Sequence, residues 1–444
     1  MRVWVALLVC ASACFYDADS PLPEEFGTCA ITDDGTSGVA APTWYRDIEP
    51  LVTAKCQGCH ADTGIAPFPL TSYQDFVPVR EAVYQTIEQR IMPPWQPADC
   101  CNHYQWDRSL SDEQRNTLLR WLEHNMPLGD VADQMPVPPP PTGLPRVDLT
   151  ATMRAPFTPI PKIGADEVRC FLLDHAPIER DRYITGFDFK PGVRGEVHHI
   201  IVSAVDADYA AELAARDGAD GRPGWDCWGE GSELASGAKY IGGWQPGVLP
   251  RLLPDGMGRL LPARTRIMLN VHYDTGHGSA PDLSSIDIML EDSVERVERG
   301  APVGNPVWFI GEGMEIPAND PDTKVWFAYD PTILTDREPI EIHNVMLHMH
   351  ELGSIGRVAI LRADGTTECL LNIPSWDFHW MADYYFETPV RLEPGDKLYV
   401  ECHWDNTEAN QKVVDGVLQE PRTLHWGTDQ EMCGAVVTFS ETLK

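Results

Sequence analysis

The sequence is poor in positive charge: 34 Lys and Arg stand against 67 Asp and Glu, a formal net charge of -33 over 444 residues. So acidic a surface repels nucleic-acid phosphates and anionic lipid headgroups, which argues against a nucleic-acid partner. Long apolar runs are also lacking. Beyond the N-terminus no stretch approaches the roughly 20 apolar residues that span a bilayer. The chain has a single Cys-x-x-Cys, so no second pair completes a four-cysteine zinc site. The hydrophobic content of 43% is ordinary for a folded protein. The length suits roughly two to four domains.

Residues 1–14, MRVWVALLVCASAC, hold one Arg, an apolar run and then small residues, the pattern of a short secretory signal. Ala11-Ser12-Ala13-Cys14 also resembles a bacterial lipoprotein cleavage box, with Ala11 where Leu is usual. Cys14 is thus either a lipid anchor or close to a plain cleavage site. Either way the chain is expected outside the cytoplasm, in the periplasm or on the outer membrane of a Gram-negative-type bacterium. Disulfides are expected there among the 12 cysteines.

Composition divides the rest. Residues 15–42, rich in Asp, Glu, Pro, Gly and Thr, read as a flexible acidic tether. Residues 43–130 have helical character, ending in SLSDEQRNTLLRWLEHNM with an N-cap at Ser111 and Leu118, Trp121 and Leu122 at helical spacing. Residues 131–148, with PVPPPP at their centre, form a semi-rigid linker. Strand patterns follow, among them RYITGFDFKP, VHHIIVSAV, RTRIMLNVHYD, NVMLHMHELG and KLYVECHWD. They suit two β-sandwich domains, over 149–300 and 301–444.

Cys56-Gln-Gly-Cys59-His60 is the attachment pattern of a c-type haem. The two thiols add to the haem vinyl groups and His60 lies beneath the iron. The alternatives are a disulfide or half a zinc site, and export disfavours the second. Met92, in Arg90-Ile-Met-Pro-Pro-Trp95, is the candidate for the other axial position, since a thioether raises the potential of haem iron. Met92 could instead be a packing residue; His103 and Met126 are held in reserve. CQGCH, APFPLTSY, MPPW and DRSLSDEQ together resemble the small cytochrome c modules of exported bacterial redox enzymes.

Four places stand out among the 14 histidines and their neighbours. His198 and His199 are adjacent on a strand, where side chains alternate; both reach one metal only if the strand is bulged or ends there. Alone, the pair reads better as structural. His272 is a lone strand histidine. His348 and His350 are two apart, so on a strand they share a face and can converge on one metal. Met432 alone would be a core residue.

Together these residues resemble the copper type II, ascorbate-dependent monooxygenases, the family of peptidylglycine α-hydroxylating and dopamine β-monooxygenases. The resemblance covers roughly residues 150–440: Phe187 to Pro191 with the following His pair, Val271-His-Tyr273, His348-Met-His350-Glu-Leu-Gly353, and Glu431-Met-Cys433. It implies two copper sites, an electron-storage site of His198, His199 and His272 and an oxygen-binding, catalytic site of His348, His350 and Met432. It also implies disulfides Cys170–Cys227 and Cys402–Cys433. Cys29, Cys100, Cys101 and Cys369 are left without assigned partners.

The sequence departs from the peptide-processing members where they grip a substrate carboxylate. Those places hold Met346, Gly434 and Val436, so a carboxylate would bind weakly and the substrate stays unnamed. The expected architecture is multidomain, a small all-α cytochrome c-like domain followed by two all-β jelly-roll sandwiches. The expected activity is hydroxylation of a C–H bond of a small-molecule substrate with O2, using two copper ions and one haem c. The haem takes electrons from an external donor, ascorbate or a redox protein. The rival expectation is a non-catalytic haem and copper electron-transfer or copper-binding protein.

Overall fold

A computed structural model of the protein describes residues 20–27, 35–136, 143–161, 166–227, 238–276, 278–308, 311–414, 417–427 and 430–441. The signal region with Cys14, Cys29 and the centre of the Pro-rich linker lie outside the described residues.

Alternation of apolar and polar residues builds most of the structure. In Ser285–Glu291, for example, Ile286, Ile288 and Leu290 point inward while their neighbours do not. The largest sheet has nine strands. Its path runs Leu149–Thr152, Ser285–Glu291, Arg182–Lys190, Met257–Leu261, Arg296–Val303, Gly434–Glu441, Ile340–His348 and Tyr384–Leu392, with Arg251–Leu252 pairing to one side. A five-stranded sheet orders Trp225–Asp226, Asp166–Leu172, Arg266–Asp274, Val197–Val205 and Lys239–Trp244. A four-stranded sheet orders Thr323–Tyr329, Lys397–Trp404, Gly353–Leu361 and Thr367–Ile373.

Two cores result. In one, Ile286, Ile288, Phe187 and Phe189 of the long sheet meet Ile200, Val202, Leu269 and Val271 of the five-stranded sheet. In the other, Ile340, Ile342, Val437 and Phe439 meet Val358, Ile360, Leu398 and Val400 of the four-stranded sheet. The long sheet does not break between them. Arg296–Glu298 run parallel to Met257–Arg259, and Arg299–Val303 pair antiparallel with Ala435–Phe439. The expected division at residue 300 falls inside this one strand. A buried ion pair sits at the same seam: Arg259 Nη2 donates to Glu298 Oε2 at 2.6 Å, and Thr438 Oγ1 donates to Glu298 Oε1 at 2.9 Å. Removing one partner would strand a buried charge, so this contact pins the halves together.

The architecture corrects the sequence expectation. The chain is a multi-sheet β protein with four α-helices among the described residues, not an all-α cytochrome c-like domain followed by separate sandwiches. Helices Glu49–Lys55, Tyr73–Glu88 and Asp112–Glu123 do share a small core around Trp44, Phe76 and Trp121. The chain between the last two, however, is built into the β structure. Tyr104 bridges to Phe386, Gln105 N–H donates to Tyr385 O at 2.7 Å, and Glu387 N–H donates to His103 O at 3.0 Å. Tyr104 is buried in the core of the four-stranded sheet, and Cys101–Cys369 fastens the same segment covalently. The helical segment is thus tied into the β structure by backbone pairing, a buried Tyr104 and a disulfide.

The tether expectation is corrected in part. Leu22 and Phe26 are buried against Tyr399, and Arg120 Nη2 donates to Gly35 O at 2.6 Å, so residues 20–27 and 35–42 lie on the protein. Disulfides Cys170–Cys227 and Cys402–Cys433 are present with Cys101–Cys369, a set that suits an oxidising compartment. No helix among the described residues is long and apolar enough to cross a membrane.

Candidate metal centres

The first cluster depends on a local irregularity. Val197–Val205 pairs with Arg266–Asp274, and the register shifts between Val197 and His199, so that His199 stands directly opposite His272. The shift occurs at His198 and removes the alternation that would send adjacent side chains to opposite faces. The ligand atoms of His198, His199 and His272 all lie within 4.8 Å of one another. His199 Nδ1 is 3.3 Å from both His198 Nδ1 and His272 Nδ1. His272 Nε2 donates to Asp166 Oδ1 at 3.0 Å, which fixes the tautomer and leaves the Nδ1 lone pair facing the cluster. Desolvation, then the neighbouring His272, pushes His198 down to about 3, and burial likewise holds His199 well below the usual imidazole range. Neutral imidazoles with converging lone pairs repel one another; a cation between them relieves that repulsion.

The second cluster sits where the long sheet meets the four-stranded sheet. His348 ends the strand Ile340–His348, and His350 lies just past it rather than on it. Their ring centroids are 5.0 Å apart at 83°. His350 Nδ1 donates to Gln430 O at 3.0 Å, leaving Nε2 as its open nitrogen. Desolvation, then His350, pushes His348 down to about 3. The chain brings Met432 alongside: its neighbour Glu431 accepts from His350 N–H at 2.9 Å, and Gly434 pairs with His348. Cys402–Cys433 ties the same segment to the four-stranded sheet. Met432 is buried, as is Met346, two residues before His348.

Sequence reasoning gave Glu431 no role of its own and passed over Asp166 and, above all, the stretch from Trp376 to Met381. That stretch touches both clusters. Trp376 Nε1 donates to His350 O at 3.0 Å, and the Phe378 ring lies 6.1 Å from His350. His379 and Trp380 lie 6.0 and 5.7 Å from His198. Met381 Sδ is 3.1 Å from His348 Nδ1. Only its aromatic density could have drawn attention to it, and aromatic runs usually mean packing.

Cys56 and Cys59 are free in a chain that pairs its other described cysteines in disulfides. Desolvation pushes the Cys56 thiol up to about 12 and raises Cys59 as well. His60 Nδ1 donates to Phe68 O at 2.9 Å, so Nε2 is its available nitrogen. A cavity of about 650 Å³ opens beside Cys59, lined also by Trp106, Arg108, Arg194 and Trp244. Two unpaired thiols and an oriented imidazole are the groups that a covalently attached haem would use; of these only Cys59 lines the cavity. Met92 packs against the helical core, as does Met126, while His103 is exposed on the segment paired with the sheet.

Three imidazoles in one cluster, His198 and His272 buried and His199 half-buried, and two half-buried imidazoles in the next define a histidine-rich centre of the kind that binds transition metals. Residues 308–444, which include His348, His350 and Met432, match the copper type II ascorbate-dependent monooxygenase C-terminal domain. The match supports the copper type II monooxygenase family, whose members are copper-dependent oxidoreductases. The first cluster and the Cys56–His60 motif lie outside the matched residues. No curated protein matches the chain. Among solved structures, the chain is similar to the major capsid protein P2 of bacteriophage PM2, at 10% identity and a TM-score of 0.26 over 66% of this chain and 98% of that one. It is also similar to the peptide N-glycanase PNGase F, at 9% identity and a TM-score of 0.26 over 66% of this chain and 96% of that one. Likenesses at TM-scores this low carry no weight for function.

Proposed function

We propose that the chain is an exported copper-dependent monooxygenase. It hydroxylates a C–H bond of a small molecule, with electrons entering through a haem held on Cys56 and Cys59. The observation that carries this reading is the convergence of His198, His199 and His272 within 4.8 Å beside a second histidine pair. Per turnover, a substrate C–H, O2, two electrons and two protons give a C–OH and one water. Bound copper supplies one-electron storage and oxygen activation, and a haem supplies one-electron delivery. The chain's part is to hold and shield. His198, His199 and His272 hold the storage ion, with Asp166 fixing the His272 ring. His348, His350 and Met432 would hold the second copper, a thioether favouring its reduced form. His60 and Met92 are the residues that would hold the haem iron.

The contact between the Cys56–His60 turn and the sheet supports electron entry by this path. Gly58 packs directly on the 245–248 turn: a Cβ there would come within 3.0 Å of Gly247 Cα. Arg108 Nη1 donates to Pro246 O at 2.5 Å on the same turn. The turn follows Lys239–Trp244, whose Trp244 pairs with Ile200, the residue after His199. The three disulfides support export, and a lipid anchor at Cys14 is the form of attachment we propose.

A second reading is a non-catalytic haem and copper electron-transfer protein, which would keep the same ligands without a substrate site. Isotope labelling separates the two. The fully metallated protein is supplied with a chemical reductant, a panel of small molecules and labelled O2. The monooxygenase reading expects one labelled atom in a product; reductant-dependent electron flow with no labelled product across the panel supports the second reading.

A further inference from the structure

The two histidine clusters come from different sheets, yet one short piece of chain touches both. Trp376 and Phe378 contact His350, His379 and Trp380 contact His198, and Met381 contacts His348. The piece is not loose. Asp377 Oδ1 accepts from His379 N–H at 2.9 Å and from its Nδ1 at 3.0 Å, and Asp377 N–H donates to Gln96 Oε1 at 2.7 Å. Trp376 N–H donates to Ser354 O at 2.8 Å. At its far end Met381 is buried.

The contacts differ in kind. Each of the other candidate ligands with a fixed ring leans on a carboxylate or a carbonyl: His272 on Asp166, His350 on Gln430 O and His60 on Phe68 O. His348 Nδ1 faces a thioether, a weak acceptor. Its ring orientation therefore depends on where Met381 is held, and Met381 follows directly on the residues packed against His198. A shift of the imidazoles on one side displaces the piece that orients an imidazole on the other.

We infer that residues 376–381 form a strap that couples the two metal sites, with Met381 and His379 as positioning residues, so that copper at one site raises affinity at the other. The inference rests on the copper-site reading above. It concerns binding alone and needs no turnover. An ion that draws His198, His199 and His272 together fixes the faces on which His379 and Trp380 rest. That orders Met381, and with it the His348 ring, before the second ion arrives. A coupling of this type is typically worth roughly 5- to 150-fold in affinity and is reciprocal.

The test is an anaerobic competition titration with Cu(I) and a chelator of known affinity, on the full-length, haem-loaded protein. The affinity of the His348 site is measured in the otherwise unaltered protein and in His272→Ala, where the first site is empty. The reciprocal comparison uses His348→Ala. We expect the filled neighbour to raise affinity at least 5-fold in both directions, and the ratio to fall to one in Met381→Leu and in His379→Gln while both sites still bind copper. Equal affinities with the neighbour filled or empty overturn the inference. So does a ratio that persists in both strap variants, since the coupling then runs through another path. If His272→Ala still binds two coppers per chain, the ligand assignment itself fails, a result distinguishable from failure of the strap.

Discussion

Replacing Glu431 by Gln should loosen the second copper site without unfolding the protein. The carboxylate is buried and accepts three N–H groups at 2.9 Å: Leu352 on Oε1, and His350 and the Trp404 indole on Oε2. Gln retains one oxygen, so if it stays on Leu352, its NH2 group faces two donors. Each unmade buried hydrogen bond costs roughly 1–3 kcal/mol, giving roughly 2–6 kcal/mol in all. The Cys402–Cys433 disulfide and the pairing of His348 with Gly434 hold the segment in place, so the loss is spent on local looseness around His350 and Met432. Groups that orient metal ligands typically matter by roughly 10- to 100-fold in affinity. The expected result is a drop of that size at the His348 site with a much smaller change at the His198 site, read by Cu(I) competition titration alongside a thermal melt. A lowered melting temperature with unchanged copper affinity would refute the reasoning, because Glu431 would then be a fold residue with no hold on the site.

Three further outcomes are expected. His272→Ala should reduce copper from two ions per chain to one, measured by metal analysis after gel filtration, with the residual ion lost in His272→Ala/His348→Ala. Cys56→Ser should yield protein whose haem no longer survives a denaturing gel as a doubly attached group, while copper content is unchanged. Glu401 gives a pH dependence. Burial pushes its carboxyl up, but hydrogen bonds from His403, Ser20 and Tyr399 outweigh that and hold it down at about 2. A carboxyl depressed on folding contributes stability above its ordinary pKa and loses it as pH falls toward 2, a contribution of roughly 3 kcal/mol at neutral pH. Glu401→Gln should therefore lower the urea midpoint at pH 7, with the gap to the unaltered protein closing below about pH 4; a gap independent of pH would contradict this origin.

The strands were legible because their alternation reports burial directly. VHHIIVSAV is the strand Val197–Val205 residue for residue, and DEQRNTLLRWLE is the helix Asp112–Glu123 capped by Ser111. The His348-Met-His350 spacing pointed to two imidazoles side by side, although His350 lies beyond the strand end. Other features left no periodic trace. The register shift at His198 is a property of the pairing with Arg266–Asp274, not of either sequence alone. The bridge from Tyr104 to Phe386 and the Cys101–Cys369 disulfide join residues more than 260 positions apart, so the helical spacing of residues 43–130 gives no sign that part of the segment is built into the β structure. The stretch Trp376–Met381 sits between strands, where neither period applies and aromatic residues suggest only packing.

In the proposed function, electrons pass from the Cys56–His60 centre to copper and then to oxygen. Stopped-flow mixing of the reduced, copper-loaded protein with O2 tests it most directly, following the haem spectrum. The expected result is rapid haem reoxidation that needs both copper and oxygen and is lost in His272→Ala. In Met432→Ala the haem should still be reduced by an external donor but should not be reoxidised productively. Haem that stays reduced under air in the copper-loaded protein, or that reoxidises equally fast with copper removed, would contradict it.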